Sequence, residues 1–168
     1  MVNWVIAASF FIHMIATVVW VGGITLMALV VYPGVRRVLG AGPQAGVVMA
    51  ELHRRFSPPA MISLAALGVT GLAQMSVNTH YNGFLQINNS WAAALLLKHM
   101  AYLVMAGLGA YSVWGITPAL NRLAMLEAKG KPAGEALDAL RRREERLNRV
   151  NFVCALVVLF FTAVARAV

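Results

Sequence analysis

Four apolar runs constrain this chain more than anything else in it. They cover residues 4–32, 58–77, 91–116 and 150–168. A helix needs about 20 apolar residues to cross the hydrocarbon of a bilayer. Inside that layer every backbone N–H and C=O has to be satisfied by the segment itself, which leaves helices as the spanning form for runs of this kind. The expectation is an all-α, integral membrane four-helix bundle, a single four-span domain over residues 1–168. Composition agrees, with 60% hydrophobic and only 12% charged residues. The first run is longer than a signal-peptide core and no basic segment precedes it, so it reads as a retained span.

The charges sort by loop. Arg36, Arg37, Arg54 and Arg55 lie between the first and second runs, and a second arginine- and lysine-rich stretch, 121–149, lies between the third and fourth. The connection 78–90 has no Lys or Arg. Basic loops stay on the cytoplasmic side, so both basic loops are expected there and both termini outside, as in a multi-pass protein of a bacterial inner membrane. The net charge of +8 is thus a topology signal that also suits anionic headgroups. It does not point to nucleic acid. The lone cysteine, Cys154, excludes an intrachain disulfide and a cysteine-based metal site.

Within the apolar runs, three ionisable residues stand out: His13 in the first, and Lys98 with His99 in the third. Each such group costs about 2.5–3.5 kcal/mol on insertion scales, so it is rare and usually functional. His99 lies eight residues inside the third run, about 12 Å at 1.5 Å per residue, and His13 enters from the same side to a similar depth. Two imidazoles at matched depth on two helices are what a bis-histidine haem b needs, one axial ligand from each side. His13 and His99 are therefore the expected haem-iron ligands. A histidine that only packs helices is the bland alternative. Lys98 is read as binding a carboxylate, from a haem propionate or a substrate, with Tyr102 one turn on sharing the contact; the bland alternative is a lysine that snorkels to the interface. His13, Thr17 and Trp20, spaced i, i+4, i+7, are expected on one face, which adds Trp20 to the cofactor contacts.

The remaining segments carry less. Gly22, Gly23, Gly68, Gly71, Gly107 and Gly109 offer positions for close helix approach. Pro58 and Pro59 are expected in the first turn of the second span, where proline is tolerated. His53 is read as a headgroup-level histidine in a basic patch, and His80 as exposed. Residues 134–149 are expected to form a cytoplasmic helical extension of the last span, with Glu144 and Glu145 in local i, i+4 pairs with the arginines. Turns are expected at 40–43, at 82–83 and at 129–132. No P-loop, HExxH or CxxC motif is present.

In its motifs the chain resembles the CopD/HemJ superfamily of small membrane proteins. The resemblance rests on His13 and Trp20 followed by Val21-Gly22-Gly23, and on Arg54-Arg55-Phe56 leading into a span that ends Thr70-Gly71-Leu72. It continues through Leu97-Lys98 and the arginine-rich entry to the fourth span, 141–151. HemJ-type proteins are haem b-binding membrane oxidases that convert protoporphyrinogen IX to protoporphyrin IX, and their functional histidine and lysine would fall on His13 and Lys98. CopD-type domains are associated with copper uptake or resistance. After Trp20 the chain departs from the HemJ pattern, reading Tyr32-Pro33-Gly34-Val35-Arg36-Arg37 with no histidine close behind.

Three functions are compatible with these residues. The first is a membrane haem b protein, an electron carrier or an oxidoreductase resembling protoporphyrinogen oxidase, with a quinol or another membrane redox partner. The second is copper transport, to which the nine methionines and the His-Met pairs at 13–14 and 99–100 would lend soft ligands. Adjacent helical residues point about 100° apart, which makes each His-Met pair a poor chelate. The third is a metal-free structural subunit of a membrane complex.

Overall fold

A computed structural model describes residues 3–40, 43–81, 83, 86–129 and 132–168. The described residues form no strand. They build four helices, each long and apolar enough to cross a membrane: α1 Trp4–Leu39, α2 Gln44–Ser76, α3 Ser90–Glu127 and α4 Gly134–Ala167. Parts of the expected turns at 40–43, 82–83 and 129–132 lie outside the described residues.

Side-chain caps start two of these helices. Asn3 accepts hydrogen bonds from the Val5 and Ile6 amides at 3.2 and 3.3 Å, and Asn89 from the Ala92 amide at 2.7 Å. Each relieves amides that have no partner inside the helix. Large apolar side chains along the outer faces, among them Phe11, Ile12, Val18, Ile62, Val69, Leu103 and Phe160, stay exposed. A water-facing surface of that kind would be untenable, and a bilayer setting accounts for it.

Pro58 and Pro59 lie inside α2, not at its start, because the helix runs unbroken from Pro43 to Ser76. Proline leaves the carbonyl four residues back without its donor. Here those carbonyls belong to Arg54 and Arg55, both exposed, where headgroups or water can satisfy them. Prolines also explain where α1 and α3 widen. Turns of π type occur at Val18–Gly22, Met27–Val31 and Ser112–Ile116. The last two immediately precede Tyr32-Pro33 and Thr117-Pro118. A wider turn moves the carbonyls away from the proline ring, and Thr117 Oγ1 donates to the Ser112 carbonyl at 3.0 Å. The turn at Val18–Gly22 has no proline behind it.

Packing divides the helices into two pairs, α1 on α2 and α3 on α4, with α2 touching α3 only briefly. The pairs are joined near mid-height by a core of Trp20, Ile24, Ala60, Leu64, Met105 and Ala155. Small residues permit the crossings. A Cβ on Gly23 would overlap the Phe56 ring, and one on Gly109 would stand 3.0 Å from the Trp20 ring. The extension at 134–149 is helical as expected, but its glutamates pair across helices. Glu145 meets Arg36 of α1 at 3.3 Å, and Glu144, 6% exposed, faces His53.

Candidate functional site

On α1, the half-buried His13 turns toward α2. Its Nδ1 lies 2.7 Å from Thr70 Oγ1, and the Thr70 hydroxyl is 2.5 Å from the Ala66 carbonyl. A carbonyl only accepts, so Thr70 spends its single proton there and must accept from His13. Nδ1 is therefore the protonated nitrogen, and Nε2 carries a free lone pair. The same logic applies to His99. Its Nδ1 is 2.7 Å from the Leu95 carbonyl one turn back, so it too donates from Nδ1 and keeps Nε2 free. This is the state of a metal-ligating imidazole, whose second nitrogen is fixed by an outer hydrogen bond.

Register places the two histidines at one level. Trp20 donates from Nε1 to Met105 Sδ at 3.0 Å and packs on Gly109, which sets α1 against α3. Seven residues N-terminal of Trp20 is His13; the same step on α3 from Met105 and Gly109 arrives at 98–102, the turn that carries Lys98, His99 and Tyr102. No hydrogen bond joins the two histidines, and they belong to different helix pairs.

The other sequence-selected residues divide. Trp20 is 3% exposed and belongs to the core. It packs on Met105 and Gly109 of α3 and on Ala60 and Leu64 of α2, the helix toward which His13 also turns; the widened turn at Val18–Gly22 carries it. Tyr102 donates its hydroxyl to the Leu64 carbonyl at 2.8 Å and fits against Gly68, which ties α3 to α2. Lys98, half-buried, makes no hydrogen bond or ion pair with any described residue. Arg166, at the end of α4, lies over the Phe10 ring of α1 at 5.6 Å, which adds a second cation at this end of the bundle. His80 is exposed beside Asn78, as expected.

Two further residues escaped sequence reasoning. Thr70 stood out only as part of the Thr70-Gly71-Leu72 motif, since its role depends on helix rotation. Ser9, one turn N-terminal of His13, has a buried hydroxyl with no partner among the described residues. Among the described residues no three of His, Cys, Asp or Glu gather as a metal site. Met14 and Met100, the neighbours of the two histidines, are 59% and 49% exposed and face outward. They add no soft ligand to either imidazole.

At the opposite end a second polar cluster forms. The Tyr32 hydroxyl lies 2.8 Å from His53 Nε2, and His53 Nδ1 is 3.6 Å from Glu144 Oε1. His53 is thus largely buried and partnered, contrary to a headgroup-level residue in a basic patch. Its side chain is only 14% exposed, because α2 begins well before its apolar run and packs its first turns against α1 and α4.

These features define an all-α, multi-pass membrane protein with two histidines, each held through Nδ1, at one level of the bundle. More particularly, the chain belongs to the CopD family (copper resistance protein D), whose family model matches residues 50–165. That match includes Thr70, Lys98, His99 and Tyr102 and stops short of His13 and Trp20. No curated protein and no solved structure matches the chain.

Proposed function

We propose that the protein is a membrane haem b protein that transfers electrons or acts as an oxidoreductase, with the haem held between His13 and His99. The observation that carries this reading is the matched pair of Nδ1 contacts. Two imidazoles, level with each other on separate helix pairs, are each fixed through Nδ1 and each keep Nε2 free. Donor chemistry fits the group: a bis-histidine site needs two neutral imidazoles and no sulfur. The orphaned Ser9 hydroxyl and the unpaired Lys98 ammonium supply polar contacts for its periphery, with Lys98 and Arg166 as counter-charges for propionates or for a substrate carboxylate. Haem at this place supplies one-electron chemistry between ferric and ferrous iron. Thr70 and the Leu95 carbonyl orient the ligands, and Trp20 locks α1 to α3 beneath them. A quinol or another membrane redox partner is the matching electron source, in a bacterial inner membrane with both basic loops cytoplasmic.

The family's link to copper resistance favours a second reading, copper transport, in which the same Nε2 atoms would be ligands. It lacks a third donor, since the adjacent methionines face outward.

The test is to purify His13→Ala, His99→Ala and His80→Ala variants from haem-sufficient cells. The first two should lose the Soret band and the third should keep it. A full Soret band in either of the first two sinks the assignment.

A further inference from the structure

The Tyr32–His53–Glu144 cluster stands apart from the His13/His99 level, and it has no part in the haem reading. It closes a cavity of about 30 Å³ lined also by Ser112, Asn148 and Asn151, room for a water-sized occupant. Three acceptors converge there. Glu144 is 6% exposed, and no described residue donates a hydrogen bond to its carboxylate within ordinary range, since His53 at 3.6 Å is too far. Asn151, 7% exposed, has a buried Oδ1 with no partner. His53 Nδ1 becomes the third once Nε2 carries the proton and donates to the Tyr32 oxygen at 2.8 Å.

A buried carboxylate and an orphaned carbonyl oxygen cost free energy unless something electropositive sits between them. We infer that His53 Nδ1, Glu144 Oε1 and Asn151 Oδ1 form a second, separate site for a divalent first-row metal ion.

The geometry suits such an ion. Metal–imidazole and metal–carboxylate bonds of about 2.0–2.1 Å span the 3.6 Å between His53 and Glu144 at an open bond angle. One imidazole with oxygen donors and no sulfur selects a borderline divalent ion over a soft monovalent one. Tyr32 fixes the far nitrogen of His53, as the outer partner of a metal-bound histidine does. Asn148 Nδ2, also unpartnered, is placed to hold a water that completes the coordination. Access is open, because Tyr32, His53 and Glu144 also wall a much larger cavity of about 890 Å³ between the inner ends of the four helices. Glu51, Glu127, Asp138 and Glu145 line that cavity beside Arg36, Arg54, Arg141 and Arg142, so its wall carries charges of both signs.

The test uses the full chain, purified in detergent, stripped with a chelator and titrated with Zn²⁺ by calorimetry and with Cu²⁺ by electron paramagnetic resonance. One equivalent should bind, and the Cu²⁺ spectrum should show coupling to a single imidazole nitrogen. Glu144→Gln and His53→Ala should each weaken Zn²⁺ at least tenfold, and Tyr32→Phe should weaken it about 10- to 100-fold through the lost outer hydrogen bond. His80→Ala should bind like the parent chain. So should His13→Ala, which separates this site from the haem: loss of the Soret band there with Zn²⁺ binding intact overturns nothing here. Absence of saturable binding means that the cavity holds only water, and it overturns the proposal. Coupling to two or more imidazole nitrogens, or Zn²⁺ affinity unchanged in Glu144→Gln, also overturns it.

Discussion

Thr70 shows how one hydroxyl can set the tautomer of a histidine on another helix. Because its proton goes to the Ala66 carbonyl, the His13 tautomer follows. Thr70→Val keeps the shape and removes the acceptor, so haem affinity should fall by about 10- to 100-fold, while Thr70→Ser should restore most of it; equal affinities in a haem titration would contradict the role. Lys98→Met should weaken haem retention or turnover and leave the melting temperature unchanged, because Lys98 pairs with no described residue. A melting shift without a change in haem would make Lys98 structural. At this scale the histidines and Lys98 were legible because charge inside an apolar run is conspicuous. Thr70, Ser9 and the His53–Glu144 contact were not. Each depends on how two helices are rotated against each other, and a single helix's periodicity carries no such information.

The elements show where the helical pattern bends. Pro33 and Pro118 each follow a π-type turn, so the sequence marks two of the three widened turns. The third, at Val18–Gly22, carries Trp20 and has no proline behind it, so no residue marked it. Glycines give a matched test of the crossings. Gly23→Ala places a methyl inside the Phe56 ring, whereas Gly22→Ala meets nothing within 4 Å. Overpacking of this kind costs about 1–3 kcal/mol, so Gly23→Ala should lower the melting temperature in detergent and Gly22→Ala should leave it nearly unchanged. Equal melting temperatures would mean that α1 and α2 do not pack as described.

For the whole molecule, the four apolar runs fixed the number of helices and their class from the outset. They did not show that α1 and α3 also extend beyond their apolar runs, because charged residues such as Arg36 and Arg122 end an apolar run without ending a helix; the extension of α4 over 134–149 was legible. Those extensions build the inner cavity. The proposed orientation predicts that a periplasm-dependent reporter fused after Val168 is active and one fused after Lys129 is silent; the reverse pattern would invert the topology. The pairing of α1 with α2 and of α3 with α4 leaves His13 and His99 on opposite pairs at one level, where a flat ligand can bridge them. The most direct test of that claim is the absorption spectrum of the purified protein, oxidised and then reduced with dithionite, with metal analysis on the same sample. The account predicts a Soret band, sharp α and β bands on reduction and one iron per chain in that haem. A colourless protein from haem-sufficient cells would contradict it, and copper in that sample would transfer the two imidazoles to the copper reading.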